Sequence, residues 1–142
     1  MYNFVKGQEG KHDDSLKMIS VLEEKYHIKF PAELKDYYYK YDGEKIELAI
    51  INVDGYECEF AKIVPIKADK MSFESIVDND KEDGFVPDNL YPIARDRGGN
   101  YYYWDNETGY VFLLIVDDID NPFKVADSIN DLFTKLNDVN KI

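Results

Sequence analysis

A chain of 142 residues, 44% of them hydrophobic, has the material for one domain that buries about two-thirds of its unfolded surface. Its 29 acidic against 17 basic residues leave a formal charge of -12, which repels phosphate backbones and, without a basic patch, argues against direct nucleic-acid binding. One cysteine excludes an internal disulfide, and no run is apolar enough for a signal peptide or a membrane span, so a soluble cytoplasmic protein is expected.

Residues 1–14 lack periodicity, and Gly7, Gly10 and Asp13-Asp14 predict a loosely ordered arm ahead of a single domain over 15–142. From Ser15 the pattern turns helical: Leu16, Ile19, Leu22 or Glu23, and Tyr26 share a face, with Asp14 or Ser15 as N-cap. Pro31 suits the first position of a second helix, which runs to about Tyr41 with Leu34, Tyr37 or Tyr38, and Tyr41 inward and Gly43 beyond its end. Ile46, Leu48 and Ile50 then alternate with Lys45, Glu47 and Ala49 as a half-buried strand. Asp54-Gly55 signals a hairpin returning through Tyr56, Cys58 and Phe60 on one face. Pro65 makes Ile63–Ile66 an edge strand or a strand end.

Ser72 caps a short helix through Val77, and Asp78–Gly84 reads as an acidic loop. Tyr91-Pro92-Ile93-Ala94 leads to a Gly98-Gly99 turn and a core strand opening at Asn100. A further hairpin passes through 106–109 into Tyr110–Val116, which is apolar on both faces and therefore central. Asp117–Pro122 reads as an acidic turn, and a helix from about Ser128 turns Ile129, Leu132, Phe133 and Leu136 inward. The order predicts an α+β fold: a central twisted, largely antiparallel β-sheet with two N-terminal helices, a short middle helix and a C-terminal helix.

Chemistry-bearing patterns are few. With Asp78 as first ligand of a calcium loop, Asp83 falls where glycine is needed and Asn89 where a bidentate Glu is needed. His12 and His27 have no ligand-spaced companion, and Cys58 alternates with Glu57 and Glu59 as a buried thiol would. Arg97-Gly98-Gly99-Asn100 lacks the residues of a phosphate-binding loop. No catalytic residue, metal or cofactor is implied, and an enzyme is not expected.

What remains points to binding. Arg95 and Arg97 share a face of an extended backbone, as a fork for a partner's anionic group or as partners of nearby acids. Asp96 and Asn100 flank the glycine pair as turn-capping residues do. Tyr101 and Tyr103 face one way, Tyr102 and Trp104 the other, so that one set is core and the other an aromatic surface; Tyr102 is counted among the anchors. Asp78, Asp80, Glu82 and Asp83, with Asp117, Asp118 and Asp120, would steer a basic partner.

Three stretches together resemble the SUKH superfamily, named for bacterial Smi/Knr-type domains and their fungal relatives, over residues 15–137. They are the helix to Tyr26 with Ile28-Lys29-Phe30-Pro31 and the Leu34–Tyr41 helix closed by Asp42-Gly43; Tyr91–Ala94 through Asn100-Tyr101-Tyr102; and Lys124–Ile129 with Leu132 and Phe133. The resemblance makes Pro31, Gly43, Pro92, Asp96, Gly98, Gly99 and Asn100 structural motif positions. Asp42 stands where the family more often has Asn, and Arg95 and Arg97 where an acid and a glycine are commoner. The resemblance implies a bacterial immunity protein that binds a cognate toxin, without catalysis. A small-ligand or glycan-binding module floored by Tyr101, Tyr103 or Trp104, and an intracellular scaffold, are the alternatives.

Overall fold

The computed structural model describes residues 2–139. Helices α1 (Asp13–Tyr26) and α2 (Ala32–Tyr41) pack together ahead of a two-stranded antiparallel sheet of β1 (Ala49–Val53) and β2 (Tyr56–Phe60). The central sheet is antiparallel, in the order β3 (Lys62–Ile63), β4 (Leu90–Arg95), β5 (Tyr101–Asp105), β6 (Val111–Ile115), β7 (Asp118–Ala126). Helix α3 (Phe73–Asp83) lies between β3 and β4 in the chain, and α4 (Ile129–Val139) follows β7. The expected α+β class is the class observed.

All four helices send their buried apolar side chains to one face of the central sheet, among them Ile19 and Leu22, Leu34 and Tyr38, Phe73 and Ile76, Ile129 and Leu136. The sheet meets them with Tyr91, Ile93, Ala94, Tyr102, Trp104, Val111 and Leu113. Ile93 and Ala94 both face inward because the β4–β5 register shifts between Pro92 and Ala94. The bulge falls beside a proline that has no N–H to give the ladder.

Asp42 joins three elements. Its buried carboxylate accepts from Ser15 Oγ at 2.6 Å, Ile66 N at 2.8 Å and Lys67 N at 3.1 Å, tying α1 and the segment after β3 to the end of α2. Ser15 is therefore a buried donor and not a cap; α1 starts two residues earlier, with His12 at the N-cap and Asp13 and Asp14 favourably placed in its first turn. Pro31 is the N-cap of α2, one position before its expected place. Gly43 follows the end of α2 at φ 83°.

Four expectations are corrected. The arm over residues 1–14 is packed down: Phe4 is fully buried, Val5 bridges Ile46, and Gly10 N and His12 N each donate at 2.8 Å to the carbonyls of Lys40 and Tyr39. Residue 1 of that arm and residues 140–142 of the expected domain lie outside the described residues.

The faces of β1 are reversed. Ile46 is buried in its bridge, but β1 begins only at Ala49, and the intervening residues move the alternation by one, so Ala49 and Ile51 are buried while Leu48 and Ile50 are exposed. Asp54 (φ 52°) and Gly55 (φ 82°) form the expected two-residue turn; Tyr56, however, lies exposed beside it, with only Cys58 and Phe60 of its face buried.

The acidic stretch from Asp78 to Asp83 is helix. Asp78 is held by Lys25 Nζ at 3.0 Å and the Tyr26 hydroxyl at 2.6 Å, and α3 stops at Gly84, whose φ of 74° makes it a left-handed cap. Finally, the turn after β6 is shorter than expected. Asp118–Pro122 belongs to β7, the edge strand of the sheet, where a proline is tolerated.

Candidate partner-binding face

The turn between β4 and β5 is built by its own side chains. Asp96 Oδ1 accepts from Asn100 N at 2.8 Å, and Asp96 Oδ2 from Asn100 Nδ2 at 2.9 Å. Asn100 Oδ1 in turn accepts from Val116 N at 2.8 Å, which locks this turn to the one between β6 and β7. Gly99 takes the left-handed conformation the turn requires, at φ 89°.

Arg97 is committed within the chain. Its N and Nε donate to Glu59 Oε1 at 2.8 and 3.1 Å, and its Nη2 to Oε2 at 2.9 Å. These bonds hold the Glu59 carboxyl below its ordinary value, and Glu59 holds Arg97 above its own. Tyr102 is 0% exposed, stacked on Phe60 at 3.8 Å between ring centroids, with its hydroxyl donating to Glu59 O at 2.7 Å. As a partner-binding anchor Tyr102 is thus corrected: its face of β5 is the one the helices cover. Asp78 is likewise engaged by Lys25 and Tyr26.

The opposite, outer face of the sheet has a second and smaller apolar cluster. Leu90, Tyr103 and Leu114 are buried there, with Val86, Tyr101, Phe112 and Ile119 half-buried around them and no helix contributing an apolar side chain among the described residues. Cross-strand pairing sets Lys62, Arg95, Tyr101 and Leu114 in one row and Pro92, Tyr103, Phe112 and Lys124 in the next. Between Val86, Tyr101, Tyr103, Leu114, Val116 and Ile119 lies a cleft of about 80 Å³, with Gly99 at its edge.

Of the residues singled out from sequence, Gly99, Tyr101 and Tyr103 line this cleft and Asp80 touches it, while others are near its lining only in the chain. Asp80, in the last turn of α3, accepts the Tyr103 hydroxyl at 3.0 Å, and burial pushes its carboxyl up from the ordinary value. Asp117, Asp118 and Asp120 flank its lining residues Val116 and Ile119 in the chain, and Glu82 and Asp83 precede Val86. Among the described residues none of these six acids forms an ion pair, and neither does Arg95. Arg97, Tyr102 and Asp78 stay outside the group.

The family model for the SMI1 / KNR4 family (SUKH-1) matches residues 15–135. The chain belongs to the SUKH-1 family. A solved structure, the crystal structure of a protein from Pseudomonas syringae pv. tomato, is 17% identical with a TM-score of 0.54, and the match covers 94% of this chain and 89% of that one. At that identity the likeness shows the shared fold. No curated protein matches.

Within this SUKH-1 domain Asp96, Gly99 and Asn100 build the turn at the edge of the cleft, and Pro92 stands at the β4 bulge, paired with Tyr103. Sequence reasoning missed Val86, Leu114, Val116 and Ile119 as site residues, and also Phe85, which is 74% exposed beside Val86. The available signal was β6 itself, apolar on both faces, which requires apolar cover on the outer side too. A second concavity, of about 650 Å³, runs between α1 and the segment ahead of α3, lined by Met18, Val21, Ile66, Ala68 and flanking charges. Cys58 is buried, and its thiol is pushed up by that burial. The described residues contain no metal-holding group of His, Cys, Asp or Glu. None of their helices is long and apolar enough to cross a membrane.

Proposed function

We propose that this SUKH-1 domain is a non-enzymatic immunity protein that acts in the cytoplasm, binding a basic toxin domain of a bacterial polymorphic or contact-dependent system and blocking it. The observation that carries the reading is the outer sheet face, where the apolar and tyrosine-rich cleft has Asp80 bonded to its Tyr103 and, next to its lining residues in the chain, further acids, none of which forms an ion pair among the described residues. A charge of -12 speeds capture of a cationic protein, and a few desolvated side chains set how long it stays. A toxin that attacks nucleic acid needs a cationic cleft for its substrate, so an acidic surface seated there competes with the substrate's phosphates.

At about 80 Å³ the outer cleft is smaller than the roughly 300–1,000 Å³ that small-molecule sites occupy, which favours a protein partner over a glycan at that place. The groove along α1 falls in the small-molecule range and is where a ligand-binding alternative would be sought. The deciding experiment is co-expression with the toxin domain encoded beside this gene. Growth protection and a complex that co-purifies are expected; neither protection nor complex would refute the reading.

A further inference from the structure

Three features of the outer face converge on what a partner must present. The cleft lining is apolar, formed by Val86, Tyr101, Tyr103, Leu114, Val116 and Ile119, so a polar side chain entering it would give up its hydrogen bonds to water. Its volume of about 80 Å³ is close to three times the ~30 Å³ share of one water, the scale of a single aliphatic side chain.

Beside it, Asp80 uses one carboxylate oxygen for the Tyr103 hydroxyl and, among the described residues, forms no ion pair with the other. Lys81, next in sequence, is turned away, with its Nζ 5.3 Å from the Tyr91 ring centroid and 3.9 Å from Asp88. Asp80, Glu82 and Asp83 also crowd the C-terminal end of α3, where the helix dipole disfavours negative charge. Lys81 is the one basic residue of that turn, and the Tyr103 hydroxyl is a neutral donor that leaves the Asp80 charge in place. At the other end of the cleft's row, Lys62 and Arg95 put positive charge next to Tyr101. A basic side chain is thereby repelled from the β3 edge and attracted to the Asp80 end.

We propose that the outer-face cleft takes one aliphatic side chain of a cationic protein partner, and that a Lys or Arg next to it in that partner pairs with Asp80. This deepens the immunity reading and rests on it for the partner's class.

The test is titration of the 15N-labelled protein with three blocked tripeptides, Arg-Leu-Arg, Arg-Ser-Arg and Glu-Leu-Glu. Arg-Leu-Arg should shift the amides of Val86, Gly99, Val116 and Ile119 saturably, and the other two should bind at least about tenfold more weakly. Asp80→Asn keeps an acceptor for the Tyr103 hydroxyl and should weaken Arg-Leu-Arg about tenfold or more, with the rest of the spectrum unchanged. Val116→Glu, at a position 59% exposed and so without a folding penalty, should block the cleft. The proposal is overturned if no saturable shift appears, if Arg-Ser-Arg binds equally, or if the shifts centre on Leu48 and Ile50 or on the groove along α1. A protective toxin complex that leaves the cleft amides unperturbed would sink the cleft and spare the immunity reading; peptide binding without toxin capture would do the reverse.

Discussion

Replacing Asp42 by Ala deletes the acceptor that α1, the end of α2 and the Ile66-Lys67 segment share. Ser15 Oγ and Ile66 N lose partners at 2.6 and 2.8 Å inside the protein, whereas Lys67 N, at 3.1 Å and partly exposed, can turn to water. Each buried donor left unpaired costs about 1–3 kcal/mol, and relief of the desolvated charge offsets part of the sum, which leaves a loss of about 3–4 kcal/mol. Against a typical total of about 5–15 kcal/mol this is a large fraction. With a urea slope of about 2 kcal/mol/M, the unfolding midpoint should fall by roughly 1.5–2 M. Asp42→Asn retains one acceptor oxygen and should lose only about 1–2 kcal/mol. Urea unfolding followed by Trp104 fluorescence, with Ser15→Ala and the double variant completing a cycle, measures the coupling. An Asp42→Ala midpoint corresponding to less than about 1 kcal/mol would refute the argument.

The Gly98-Gly99 pair should respond asymmetrically. Gly99→Ala meets no atom within 4 Å but is held at φ 89°, so it should lose about 1–2 kcal/mol from backbone strain alone. Gly98→Ala meets Asp96 Oδ1 at 3.5 Å and Asn100 Nδ2 at 3.7 Å, both ordinary contacts, and should be within about 0.5 kcal/mol of wild type in the same urea assay. The Glu59–Arg97 pair stabilises the fold above the ordinary carboxylate range and is lost as pH falls through the lowered Glu59 value. Midpoints of wild type and Arg97→Ala should therefore differ at neutral pH and low salt and merge in acid; a gap that persists in acid would contradict this. Asp80 has the opposite sign. Its raised carboxyl binds a proton more tightly in the folded state, so its stabilising contribution exists at low pH and is lost as pH rises through the folded value. Asp80→Asn should consequently raise the urea midpoint at pH 7 even as it weakens cationic-peptide binding, and a lowered midpoint would count against a carboxylate kept for binding.

Much of this protein is written locally. The face shared by Ile19 and Leu22, the Asp54-Gly55 turn, the Asp96–Asn100 bonds four residues apart and the stripe from Ile129 to Leu136 depend on neighbours within one or two turns, and the sequence alone determined them and the family. What needed the tertiary structure were choices between two locally equal options. Tyr101 and Tyr102 have equal claims to either face of β5, and only the helices packed on one side decide that Tyr102 is core. Arg95 and Arg97 could equally be a fork for a partner or pair with acids of their own chain. Glu59, 38 residues away from Arg97, settles the second for Arg97 and leaves Arg95 without an ion pair among the described residues. The arm lacks any repeat, yet Phe4 is anchored by α2 and α4, stacking with Tyr37 and lying 5.7 Å from the Phe133 ring. Local pattern carries periodicity and turn chemistry, but which face meets the core, and which charge finds a partner, are settled by residues far apart in the chain.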